Sequence, residues 1–214
     1  MTAKTQLSFV HRFEPSADRN TPPLLLLHGT GGDENDLIAL GRMVAPDAAL
    51  VSPRGKVLEG GMPRFFRRLA EGVFDEDDVR RRANELADFI AEAREAYGLP
   101  APIALGFSNG ANIAAAVLLL RPEALAGAVM IRAMVPLSQP PAADLAGKPV
   151  LILSGSMDPM VPADNAERLA EQLRNAGADV QHRTLPAGHG LSQADIALTR
   201  NFLVRSAGAI VSAA

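Results

Sequence analysis

The sequence predicts an α/β fold with a mostly parallel central sheet flanked by helices. The runs 24–27, 103–105, 126–131 and 149–153 are short and apolar throughout, as strands buried on both faces must be. Each leads into a turn or loop, and segments of helical periodicity lie between the runs, the order expected of a sheet covered by helices on both sides. A chain of 214 residues with 48% hydrophobic content can bury one sizeable core, and no Pro/Ser/Gly linker divides it, so residues 1–214 are expected to form a single domain.

Residues 6–13 alternate loosely as an edge strand would, and Pro15 with the polar run 16–21 makes a turn. His11 lies in that strand and carries no expected chemistry. The four leucines 24–27 lead into His28-Gly29-Thr30-Gly31-Gly32-Asp33-Glu34. This loop has no lysine, and Glu34 stands where the third glycine of Gly-x-Gly-x-x-Gly would fall, so a nucleotide cradle is disfavoured. Its glycines suit backbone N–H groups turned toward an oxyanion, the alternative being a plain strand-to-helix turn. Residues 33–44 predict a helix with an acidic first turn and Leu37, Leu40 and Val44 on one face, ended by Pro46. A short strand, 48–52, follows.

Residues 53–73 carry four glycines and two prolines and predict an irregular loop, of a length that is usually functional in a compact domain. Met62, Arg64, Phe65 and Phe66 suit the wall of a substrate pocket; equally, Phe65 and Phe66 suit pinning the loop to the core. The charge run 75–82 resembles a carboxylate site only superficially. Val79, Ala83, Leu86, Ile90, Ala93 and Tyr97 recur at spacings of four and three, which makes one buried helical stripe, capped by Asp77 or Asp78 and ended by Gly98.

The strand 103–105 runs into Gly106-Phe107-Ser108-Asn109-Gly110 and then an almost wholly apolar helix, 111–120, stopped by Pro122. A Gly-x-Ser-x-Gly pentapeptide between a strand and a helix reads as a nucleophile elbow, in which a strained turn lifts the serine hydroxyl above the sheet edge and leaves no room for side chains two residues either side, the alternative being a plain Gly-rich turn. Beyond the strand 126–131 stands Arg132, placed either to hold a substrate carboxylate or, by slight preference, to anchor a loop through an acid. After the strand 149–153, Asp158 falls in a turn where α/β enzymes carry functional side chains, the alternative being a turn-forming Asp-Pro pair, whereas Asp164 with Glu167 reads as a capping box for the helix 163–176. His182 lies inside the last strand, 179–185, and is structural in expectation. His189, between Gly188 and Gly190, is a loop histidine ahead of a final helix, 191–205.

Composition narrows the function. A net charge of −3 gives no basic field for nucleic acid, and no basic amphipathic face suits a membrane surface. The absence of cysteine excludes disulfides, thiolate metal sites and a thiol nucleophile, and no two histidines have metal-ligand spacing. The first ten residues lack the apolar core of a signal peptide, and the longest apolar run, 113–120, is too short to span a bilayer, so a cytoplasmic enzyme acting on a small molecule is expected.

Ser108, Asp158 and His189 each fall just beyond a predicted strand, in the chain order found in α/β-hydrolases. With residues 27–33, 106–110, 154–162 and 188–189, the chain resembles, along nearly its whole length, the carboxylesterase/phospholipase family of small α/β-hydrolases, which includes acyl-protein thioesterases and short-chain carboxylesterases. The resemblance implies an α/β-hydrolase fold with no separate cap domain and no metal or organic cofactor. It implies Ser108 as nucleophile, His189 as base, Asp158 as orienting acid, and the backbone N–H groups of Thr30 and Asn109 as the oxyanion hole. Met160 joins Arg64, Phe65, Phe66 and Arg132 as pocket candidates. Many relatives have Gln at position 109 and Leu at position 30, but both positions would act through the backbone. The implied substrate is a small-molecule ester, with thioester or lysophospholipid hydrolysis as alternatives, and ligand binding without turnover as the non-enzyme alternative. Relatives are often dimers, which leaves a homodimer open without fixing the oligomeric state.

Overall fold

Leu24 to Leu27 expose essentially no surface, so this strand must be covered on both faces, and the architecture follows from that demand. The computed structural model describes residues 7–16, 18 and 21–213. In order, the chain forms β1 (His11–Glu14), β2 (Leu24–Leu27), α1 (Ile38–Val44), β3 (Leu50–Pro53), β4 (Val57–Glu59), β5 (Met62–Arg64), β6 (Arg68–Ala70), β7 (Val73–Phe74) and α2 (Glu76–Tyr97). There follow β8 (Ile103–Phe107), α3 (Asn109–Leu120), a 3-10 turn at Pro122–Ala124, β9 (Gly127–Ile131), β10 (Pro149–Gly155), α4 (Ala163–Asn175), β11 (Asp179–Leu185) and α5 (Gln193–Ala213). The main sheet has the order β1-β3-β2-β8-β9-β10-β11, with β1 antiparallel to β3 and every other pair parallel. Strand order reverses between β2 and β8. The loops leaving those two strands therefore diverge, which opens a crevice at their carboxyl ends.

Alternation along the strands divides the core in two. Leu25, Leu27, Ala104, Met130 and Ile152 pack under α2, α3 and α4, while Leu24, Leu26, Leu105, Ile131 and Leu153 pack under α1 and α5. Helix α3 is buried on nearly every side, and its small residues let it lie close against the sheet. At Gly110 the approach is closest: a Cβ there would overlap the carbonyl group of Leu27 in β2.

Several elements differ from the sequence expectation. Helix α1 begins at Ile38, because residues 34–37 form turns and the Asp33 carboxylate accepts from the Asn35 N–H at 2.8 Å, a local bond that competes with helix. The segment 53–73 is not irregular but folds largely into two hairpins, β4–β5 and β6–β7, the first turning through Gly60 and Gly61. Helix α2 is capped by Asp75, whose side chain accepts from the Asp78 N–H; Asp78 is itself buried and instead accepts from the Arg67 N–H at 2.7 Å, fastening the second hairpin. The Asp164–Glu167 capping box does not form, since the chain enters α4 at Pro162 and Asp164 lies already within the first turn. There its charge still opposes the positive end of the helix dipole. Strand β1 spans His11–Glu14, residue 6 lies outside the described residues, and α5 runs on to Ala213. Among the described residues, no helix is long and apolar enough to cross a membrane.

Three histidines serve the scaffold. His11 contacts the Tyr97 hydroxyl at 2.6 Å, and His182 contacts Ser154 Oγ at 2.8 Å. His28 is buried; its Nε2 accepts from the Gly55 N–H at 3.0 Å, so its Nδ1–H donates to the Gly29 carbonyl at 2.7 Å, tying the loop after β2 to the chain leaving β3.

Two outcomes are expected from this packing. Gly110→Ala should lower the unfolding free energy in urea by roughly 3 kcal/mol, because backbone rather than a flexible side chain stands in the way. Burial, the dominant influence, holds His28 below its ordinary value of 6.5, so in acid the unfolded chain takes up a proton that the folded chain refuses. The His28 contribution is complete above that value and declines as pH falls below it. In His28→Gln the loss of stability between pH ~6.5 and ~5 should be shallower, with His182, also depressed by burial, supplying part of what remains.

Candidate active site

The turn after β8 is the strained centre of the site. Ser108 has φ 52° and ψ −114°, and its backbone N–H donates to the Ile131 carbonyl of β9 at 2.8 Å, which locks the turn onto the sheet. A Cβ at Gly106 would lie 2.6 Å from the Gly110 carbonyl oxygen and 2.7 Å from Ala111. Only glycine fits where the helix doubles back over the strand.

Two loops at the same sheet edge bring their side chains to Ser108. His189, between β11 and α5, places Nε2 3.0 Å from Ser108 Oγ and Nδ1 2.8 Å from Asp158 Oδ2. A carboxylate only accepts, so Nδ1 carries the proton and, in the neutral ring, Nε2 is left as acceptor for the serine hydroxyl. Asp158 has no exposed side-chain surface, and its Oδ1 accepts the Met160 and Val161 N–H groups at 2.8 and 3.2 Å. Both oxygens are thereby fixed. The Phe107 ring lies 5.5 Å from the His189 ring, tilted by 49° to it.

Thr30, after β2, and Asn109, after Ser108, line the same cleft. Asn109 begins α3, where backbone N–H groups have no intrahelical acceptor, and among the described residues neither its N–H nor that of Thr30 donates to another protein group. Their side chains face the hairpin β4–β5. Arg64 Nη1 donates to Thr30 Oγ1 at 2.8 Å, the Phe65 N–H donates to Asn109 Oδ1 at 2.7 Å, and the Gly31 N–H donates to the Pro63 carbonyl at 2.9 Å.

The cleft is small, about 40 Å³, with Phe74, Met134, Met160 and Val161 as its apolar wall. Met160 therefore stands where the sequence reading put it. Phe65 and Phe66 do not: both are buried in the core beneath the hairpins, so pinning the loop is what they do. Arg64 borders the cleft but is buried, and its guanidinium is engaged by Thr30, the Phe66 carbonyl and Glu59; desolvation lowers its pKa from the ordinary arginine value. Arg132 is wholly buried and paired with Asp195, so it holds no substrate carboxylate. Arg68 was not singled out by the sequence; it lines the cleft, partly exposed, paired with Glu59 at 2.8 Å. Asp195 was also missed, although Ser192-x-x-Asp195 before an apolar run has the form of a helix-capping box. Among the described residues no group of three or more His, Asp or Glu could hold a metal ion. A larger hollow, about 510 Å³, lies between β11 and α5, away from these groups.

Known proteins resemble this chain along most of its length. Residues 10–206 match the model of the phospholipase/carboxylesterase family. The protein MhqD of Bacillus subtilis (strain 168) is 48% identical over 185 residues, covering 86% of this chain and 92% of MhqD. A Bacillus cereus carboxylesterase structure superposes with a TM-score of 0.91 at 43% identity, covering 93% of this chain and 95% of its own. A carboxylesterase from Mesorhizobium loti gives a TM-score of 0.88 at 34% identity over 94% and 96% of the two chains. The chain belongs to the phospholipase/carboxylesterase family of α/β-hydrolases.

Proposed function

We propose that the protein is a serine esterase that hydrolyses short-chain carboxylic esters through an acyl-enzyme on Ser108. The observation that carries this reading is the hydrogen-bonded chain Ser108–His189–Asp158, with 3.0 and 2.8 Å between its members. His189 Nε2 takes the hydroxyl proton as Ser108 Oγ attacks the ester carbonyl, and Asp158 holds the tautomer and stabilises the imidazolium that forms. The N–H groups of Thr30 and Asn109 receive the tetrahedral oxyanion, each such donor contributing roughly 3 kcal/mol in comparable sites. His189 then protonates the departing alcohol. Water, deprotonated by the same imidazole, releases the acid and restores Ser108.

The cleft dimensions support a short acyl group. A space of about 40 Å³ walled by Met134, Met160 and Val161 accommodates a few carbons, whereas a lipid acyl chain needs a long apolar channel. Among the described residues no separate cap domain extends it, and the two hairpins supply Arg64, Arg68 and Phe74 to its lining.

Purified protein is expected to hydrolyse p-nitrophenyl acetate and butyrate, with kcat/KM in Ser108→Ala lower by on the order of 10⁴-fold or more and an unchanged circular dichroism spectrum. Full turnover in that variant refutes the assignment. Across a series of acyl lengths, kcat/KM should be greatest for the shortest esters; a maximum at long chains would instead favour lysophospholipid hydrolysis.

A further inference from the structure

Arg132 stands at the carboxyl end of β9 with φ 58°; besides Ser108 it is the one residue other than glycine with positive φ among those described. Its side chain has no exposed surface, and each of its five N–H donors has an acceptor. Nε donates to the Gly188 carbonyl at 2.8 Å. Nη1 donates to the Leu153 carbonyl and Asp195 Oδ1 at 3.2 and 2.9 Å, and Nη2 to the Gly190 carbonyl and Asp195 Oδ2 at 3.3 and 2.9 Å. Gly188 and Gly190 are the two neighbours of His189. Asp195 also accepts the Ser192 N–H and hydroxyl at 2.8 and 2.7 Å, so the same carboxylate closes the first turn ahead of α5.

A buried ion pair is a poor stabiliser compared with apolar residues of similar size, because two charges leave water. What a guanidinium supplies that an apolar group does not is direction: donors in a rigid plane, aimed at fixed carbonyls. Here they grip the backbone on both sides of one imidazole, in a loop whose flanking glycines offer no side chains to hold it. We infer that the Arg132–Asp195 pair is the positioning device for His189, fixing the imidazole against Ser108 and Asp158. The inference rests on the reading of His189 as the base. Arg132 and Asp195 touch no reacting atom; they act through the loop 188–190.

Two variants test this, Asp195→Asn, which keeps the shape and removes the charge, and Arg132→Lys, which keeps the charge and removes the fork. Displacement of a catalytic group by an ångström costs up to about a hundredfold in rate, so in both variants kcat for p-nitrophenyl acetate should fall tenfold or more with KM little changed. A downfield proton resonance for the His189–Asp158 hydrogen bond is expected in the unaltered protein and should broaden or vanish in both variants. Leu203→Ala, which removes a buried apolar side chain of α5 eight residues beyond Asp195, should lower Tm and leave kcat and the resonance unchanged. If Asp195→Asn and Arg132→Lys lower only Tm, keeping kcat and the resonance, the pair is structural and the inference falls. If the unaltered protein hydrolyses no ester, the esterase reading falls by itself, and the resonance in the variants still decides whether the pair positions His189.

Discussion

The backbone at Ser108 cannot relax, and much of the site is arranged around that restriction. Left-handed φ at a residue with a side chain is unfavourable, and it persists only where surrounding contacts leave the chain no alternative. Here the Ser108 N–H is held by β9, Gly106 faces the first turn of α3, and Gly110 lies against β2. The strain and the close packing are two sides of one arrangement: α3 can sit this near the sheet only because the chain turns so sharply. The result is a hydroxyl raised at the crevice where strand order reverses, with the loops after β2, β10 and β11 within reach of it.

Around that fixed point, backbone does most of the holding and side chains serve it. Asp158 is set by two N–H groups, the loop after β2 is tied by His28 to Gly55, and the hairpin β4–β5 meets Thr30 and Asn109 through Arg64 and Phe65. The side chains of Thr30 and Asn109 thus accept hydrogen bonds from Arg64 and Phe65 and help to seat the hairpin. Beside the cleft, Glu59 faces both Arg64 and Arg68.

Much of this was legible in the sequence because the governing signals are local. The leucine run 24–27, the stripe along α2 and the Gly-x-Ser-x-Gly turn each report their own burial or geometry, and Ser108, Asp158 and His189 each follow a strand in a diagnostic order. What escaped depends on partners distant in the chain or on competition between nearby ones. Asp75 caps α2 because Asp78, the expected cap, is drawn to the Arg67 N–H. Arg132 could be read as an anchor, but its partner lies 63 residues away in α5. The hairpins within 57–74 are too short for two-residue alternation to stand out, and their glycines and prolines resemble loop composition.

The hairpins are also a separable piece of chain. They leave the sheet after β3 and return at α2, form no strand of the main sheet, and supply Arg64, Arg68 and Phe74 to the cleft. Ser108, His189 and Asp158 stand on loops of the main sheet, so under the proposed function an exchange of these roughly twenty residues would change one side of the cleft and with it the substrates accepted, while the hydrogen-bonded chain of the three side chains stays on the layers beneath.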